Sequence, residues 1–117
     1  MKGIGIDIVE IKRLKKAVQK WGRLFTERVF TKTEIQYSMQ KRSPYQHLAA
    51  RFAAKEAVMK AFGRGEITFK EIEIFNDKFG RPFCKLHKKN GKISLSIAHT
   101  DKYAIASAIL NYLISFK

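Results

Sequence analysis

Residues 51–63, Arg-Phe-Ala-Ala-Lys-Glu-Ala-Val-Met-Lys-Ala-Phe-Gly, set four charges on a helix that has almost no solvated face. At about 100° per residue, Leu48, Phe52, Val58, Met59 and Phe62 share one apolar arc, and Lys55 lands inside it. The other side is mostly alanine, at positions 49, 50, 53, 54, 57 and 61, which lets other backbones approach closely. The pattern predicts a helix covered on most sides, with Arg51, Lys55, Glu56 and Lys60 at least partly withdrawn from water. Buried charges are normally paired or bind an ion or a ligand. Glu56 and Lys60 stand i,i+4 and could pair, and Lys55 could reach water along its own stem.

A chain of 117 residues with 45% apolar residues has room for one well-packed domain, and neither a Gly/Ser linker nor a repeat divides residues 1–117. The single Cys84 rules out an internal disulfide, and three scattered histidines form no zinc-type cluster, so a reducing compartment is expected. Met1 leads directly into a strand-like segment without a basic leader, and no apolar run is long enough to span a bilayer; a cytoplasmic location follows. Lys+Arg outnumber Asp+Glu by 24 to 10, a formal charge of +14 that favours anionic partners. Charge alone leaves nucleic acid, an anionic membrane, an acidic protein and a phosphorylated small molecule open.

Residues 2–9 alternate as a strand, Ile4, Ile6 and Ile8 on one face and Gly3, Gly5, Asp7 and Val9 on the other. The glycines clear space beside Asp7 for a ligand or for another backbone. A helix with a basic outer face follows over residues 11–20. Thr31 and Glu34 have the form of a capping box and start a second helix running to about Gln40, and Ser43-Pro44 starts the third, which stops at Gly63. Strand-like runs at 69–75 and 83–87 flank a turn-rich connection, and two further strands lie over 93–98 and 103–110. This β-α-α-α-β-β-β-β order predicts an α+β fold, a mainly antiparallel sheet with three helices packed on it.

Asp7 and Glu56 are the acidic residues in the least favourable local settings. Two carboxylates suit Mg²⁺, which is commonly held by one or two carboxylates together with waters and substrate phosphates, and Arg51, Lys55 and Lys60 would supply charge for those phosphates. A structural role, with Asp7 merely capping or paired to a lysine, competes with metal binding on even terms. His99 falls in the turn before the last strand, where histidines are usually plain surface residues. Cys84 reads as core.

Two segments taken together, Gly3-Ile-Gly-Ile-Asp-Ile-Val-Glu-Ile-Lys-Arg13 and the helix 51–63, closely resemble the holo-[acyl-carrier-protein] synthases, small 4′-phosphopantetheinyl transferases. Ile72-Glu-Ile74, Gly80-Arg-Pro82 and Leu95-Ser-Ile-Ala-His-Thr100 are similar to that family's later blocks, in order. The resemblance implies transfer of 4′-phosphopantetheine from coenzyme A to a serine of apo acyl carrier protein, in support of fatty acid biosynthesis. It implies Asp7 and Glu56 as Mg²⁺ ligands and Lys60 near the transferring phosphate. Arg51 and Lys55 match basic nucleotide-binding positions, Gly63, Pro82, His99 and Thr100 match coenzyme A contacts, and Arg13 matches a carrier-protein docking residue. Attack by serine on the β-phosphate is implied, with Glu56 or a water on the metal taking the proton. Family members are usually homotrimers, so His99 and Thr100 are expected to serve a neighbouring subunit. The segment Gly63-Arg-Gly-Glu-Ile67 is shorter than the family's Gly-rich loop. Neither a nucleic-acid nor a membrane partner is expected, because a nucleic-acid module would pair basic with aromatic residues on one exposed face, whereas Phe52, Phe62 and Phe83 sit at core-like positions.

Overall fold

The structure, a computed structural model, describes residues 2–111. The expectation of one domain over residues 1–117 therefore extends, at residue 1 and residues 112–117, outside the described residues. The fold is α+β. Strand β1 (Lys2–Glu10) leads directly into α1 (Ile11–Trp21), followed by α2 (Arg23–Val29), α3 (Lys32–Met39) and the long α4 (Pro44–Phe62). A single 3₁₀ turn (Phe69–Glu71) precedes β2 (Ile72–Asn76), β3 (Pro82–Leu86), β4 (Lys92–His99) and β5 (Tyr103–Asn111).

Two expectations are corrected. The strands form two antiparallel sheets, a three-stranded one in the order β1-β5-β4 and a separate β2-β3 hairpin. There are four α-helices among the described residues, the unforeseen one being α2, whose seven residues make under two turns, too few for a 3.6-residue period to show. Gly22, at φ 55°, breaks the chain between α1 and α2.

The helix signals act as the local chemistry requires. Thr31 Oγ1 accepts the Glu34 amide while Glu34 Oε1 accepts the Thr31 amide, a complete capping box. Pro44 occupies the first turn of α4, and Gly63, at φ 108°, ends it.

Helix α4 lies across the three-stranded sheet with alanines facing glycines and alanines. Ala53, Ala57 and Ala61 on the helix and Ala104, Ala106 and Ala108 on β5 are buried. A Cβ placed on Gly3 would collide with the carbonyl of Ala61, and one on Gly5 with that of Ala57. The cleared face of β1 thus admits a backbone, and that backbone is α4. The opposite face of the same sheet stays bare: Ile4, Ile6 and Ile8 are 76%, 63% and 60% exposed, and Ile105 and Ile109 continue the apolar surface on β5. Phe83 is likewise more open than its core-like reading predicted. The two-residue alternation of β3 turns Cys84 and Leu86 toward the core and leaves Phe83 outside, stacked on Phe75.

Candidate functional site

Asp7 is carried on the face of β1 that meets α4, where Glu56 and Lys60 come from consecutive turns of the helix. Lys60 does not pair with Glu56: its ammonium donates to Asp7 Oδ1 at 3.2 Å and to the carbonyl of Ile6 at 2.9 Å, and its side chain is half exposed. Burial, and after it the charge of Asp7, push the Glu56 carboxyl pKa above the usual carboxylate range; Lys60 offsets part of this. The Glu56 carboxyl feels the charge of Asp7 across the groove they share, a repulsion that a divalent cation would relieve. Among the described residues no third His, Cys, Asp or Glu joins them. The donor set therefore suits a cation that completes its shell with waters and phosphate oxygens, as Mg²⁺ does, and not one that needs a full protein cage.

A cavity of about 490 Å³ opens beside this pair, lined by Asp7, Glu56, Glu10 and Arg13 among apolar walls that include Leu14, Phe25, Phe52 and Tyr103. Asp7 and Glu56 thus share one groove with Arg13 of α1, the residue expected to receive a partner.

The basic residues of α4 separate sharply. Lys55 has no exposed surface. Its ammonium lies 2.5 Å from Glu34 Oε1 and donates to the carbonyls of Val29 at 2.7 Å and Phe69 at 3.2 Å. Burial pushes its pKa down, and Glu34 offsets part of this; three acceptors answer its three N–H groups. Lys55, expected at a nucleotide-binding position, thus has all three of its donors engaged inside the fold. Arg51 is also buried, stacked on Tyr37 with its guanidinium carbon 4.1 Å from the ring centroid and Nη2 donating to Asn76 Oδ1 at 2.7 Å. Its Nε is buried without a hydrogen-bond partner.

Around Arg51 the fold collects basic side chains. His47 is held below its usual pKa, first by burial and then by Arg51, Lys41 and His99. His99 is the last residue of β4, and its Nδ1 lies within hydrogen-bond distance of Gln46 Nε2, at 2.8 Å. The same amide donates to the Thr100 carbonyl at 3.3 Å, while Thr100 Oγ1 caps the turn by accepting from the amides of Lys102 and Tyr103. Arg51, His47 and His99 thus form a corner of basic side chains at the N-terminal half of α4, with Arg51 as its fixed positive charge. His47 is absent from the sequence reading, although its i,i+4 spacing to Arg51 marks it. Glu34 was read only as a capping residue, and no local signal shows its second role. Gly63, at the far end of α4, and Pro82, opposite Asn76 in the hairpin, do not line the cavity at Asp7. The ten residues from Gln46 to Glu56 span about 15 Å of helix, so one chain does not bring His99 and Thr100 to the acidic pair.

Fold and site together define a class: residues 3–108 match the family model of the 4′-phosphopantetheinyl transferase superfamily. Holo-[acyl-carrier-protein] synthase of Ruminiclostridium cellulolyticum is 44% identical across 97% of this chain and 95% of its own length, and that of Thermodesulfovibrio yellowstonii is 44% identical across 94% and 98%. A crystal structure of the Bacillus anthracis holo-(acyl-carrier-protein) synthase in complex with CoA (3′,5′-ADP) superposes with a TM-score of 0.82 at 37% identity, covering 92% of this chain and 94% of that one. The Helicobacter pylori synthase in complex with coenzyme A gives 0.83 at 35% identity, covering 92% and 99%. The chain belongs to the holo-[acyl-carrier-protein] synthase family and is an enzyme of the phosphopantetheinyl transferase class.

Proposed function

We propose that this protein transfers the 4′-phosphopantetheine group of coenzyme A to a serine hydroxyl of apo acyl carrier protein, in a Mg²⁺-dependent reaction that serves fatty acid biosynthesis in the cytoplasm. The observation that carries the reading is the facing pair Asp7 and Glu56 in the groove that also exposes Arg13. Asp7 and Glu56 are the residues that would hold Mg²⁺. When bound, the cation would neutralise charge on the pyrophosphate of coenzyme A.

The chain's own residues supply the rest. Lys60, half exposed beside Asp7, lies where a phosphate oxygen can exchange for the carboxylate as its partner. Glu56, or a water beside it, accepts the proton of the attacking serine. The serine oxygen forms its bond to the β-phosphorus as the bond to the bridging oxygen breaks, and adenosine 3′,5′-bisphosphate leaves. Arg13, on a helix whose outer face is lysine-rich, steers the acidic carrier protein to the groove. The corner of Arg51 and His99, with Thr100, receives the nucleotide phosphate. Gly63 and Pro82 complete the coenzyme A contacts.

The bare isoleucine face of β1 and β5 supports a homotrimer, because a contiguous exposed apolar sheet face marks a contact with another chain. In such an assembly His99 and Thr100 of one subunit serve the Asp7 and Glu56 of the next, which accommodates their separation within one chain. No helix among the described residues is long and apolar enough to cross a membrane, in keeping with a cytoplasmic enzyme.

Intact-protein mass spectrometry of apo acyl carrier protein, incubated with this protein, coenzyme A and Mg²⁺, tests the reading. A gain of one phosphopantetheinyl group, abolished by EDTA, is expected. No gain with a folded enzyme and a competent carrier overturns it.

A further inference from the structure

The alanine and glycine surfaces by which α4 sits on β1 and β5 are smooth: they allow close approach but offer few interlocking side chains to resist a roll about the helix axis. On the sheet side the half-exposed Lys60 donates to Ile6 and Asp7 of β1, and the buried directional contacts come from the other side of the helix, through Lys55. Its ammonium reaches the carbonyl of Val29 at the end of α2, the carbonyl of Phe69 in the 3₁₀ turn, and Glu34 at the start of α3. Glu34 in turn accepts the amide of Ile74 in β2 at 2.6 Å and that of Thr31 at 2.8 Å. One ion pair, with neither side chain exposed, thus binds four segments to α4 at the residue immediately before Glu56.

We propose that Lys55 and Glu34 form a positioning pair that sets the roll of α4 and so aims Glu56 at Asp7. The proposal rests on the metal-site reading above. A side chain reaches about 5–6 Å from the axis of a helix, so a roll of about 10° moves the Glu56 carboxylate by about 1 Å, a displacement able to lower a rate by about 10²-fold. Breaking a hydrogen bond to a buried charge carries a large penalty where the dielectric is low, so the pair resists this roll far better than apolar contact does. Lys55 touches no reacting atom in this role; it acts through Glu56.

The test uses Mn²⁺ as a paramagnetic stand-in for Mg²⁺, titrated in the presence of coenzyme A and followed by electron paramagnetic resonance, with circular dichroism confirming the fold at the measuring temperature. The wild type should bind Mn²⁺, and Asp7→Ala should not. Lys55→Met should weaken Mn²⁺ binding by about tenfold, the effect typical of losing support behind a metal ligand, and lower kcat while the KM for coenzyme A stays within about twofold. Leu110→Ala, a core truncation in β5, is the control for lost stability and should keep its Mn²⁺ affinity. If Lys55→Met does not fold, the double variant Glu34→Gln with Lys55→Met, which strands no charge, makes the same comparison. Wild-type affinity and kcat in a folded Lys55→Met, or in that double variant, would overturn the positioning role alone. No Mn²⁺ binding by the wild type would overturn the metal reading, and this proposal with it.

Discussion

The two charged turns of α4 meet opposite fates. Arg51 and Lys55 point into the protein, where a ring, a side-chain amide, two carbonyls and a carboxylate take up their charge. Glu56, one residue after Lys55, lines the groove with Asp7, and Lys60, five residues after Lys55, pairs with Asp7 while half in water. A step of about 100° around a helix therefore separates a charge that organises the fold from one free to act on a ligand. Residue type does not make the distinction, since each half contains a lysine.

The comparison breaks most visibly at the two lysines. Lys55→Met leaves Glu34 buried and unpaired and should lower stability by about 3–5 kcal/mol, whereas Lys60→Met removes an exposed partner and should change stability by less than about 1 kcal/mol while slowing transfer; chemical denaturation with a parallel transfer assay separates the two. Equal losses of stability would erase the distinction. Next in size, Asp7→Ala and Glu56→Ala should each reduce transfer by about 10²-fold or more, with a melting temperature within about 5 °C of the wild type.

Smaller effects sharpen the groove half. A carboxyl whose pKa is raised in the fold binds protons more tightly folded than unfolded, so its penalty is absent below its ordinary pKa and appears as the pH rises through the raised one. Glu56→Gln should therefore raise the melting temperature at neutral pH, with the gain disappearing in acid, even as transfer is lost. A gain that persists in acid would point to packing instead. The smallest effect is at His47, whose lowered pKa means that its contribution to stability is present above the ordinary histidine value and lost as the pH falls through the lowered one. Its titration by proton NMR should have a midpoint below 6.5, and adenosine 3′,5′-bisphosphate should move that midpoint upward by placing anionic charge in the corner with Arg51 and His99. An unmoved midpoint would count against an anion there.

Features governed by neighbours in sequence were legible without a structure. Thr31 and Glu34 announced their helix start, Pro44 and Gly63 bounded α4, and the alternation of Ile4, Ile6 and Ile8 marked β1. α2 was not legible because so short a helix shows too little period, and Phe83 was misread because an apolar residue in a two-stranded hairpin is buried only on the side that meets the core. The site divides in the same way. Asp7 and Glu56 were visible as acids without local partners, but the arrival of α4 against Gly3 and Gly5, and not of a ligand, was a matter of packing.

The sequence by itself determined most helix and strand limits, though not α2 or the 3₁₀ turn Phe69–Glu71 that takes the place of the expected start of β2, together with the positions that carry charge into crowded settings and the family to which the chain belongs. Hydrogen bonds three or four residues apart and side-chain periods of 2 and 3.6 are local, so they can be read in one dimension. Only the tertiary structure decided who answers each charge. Lys60 meets Asp7 fifty-three residues away, and Lys55 meets Glu34 across the junction of α2, α3 and α4. A buried charge takes whatever partner the folded chain brings within reach, and that partner is chosen by how helices and sheets pack.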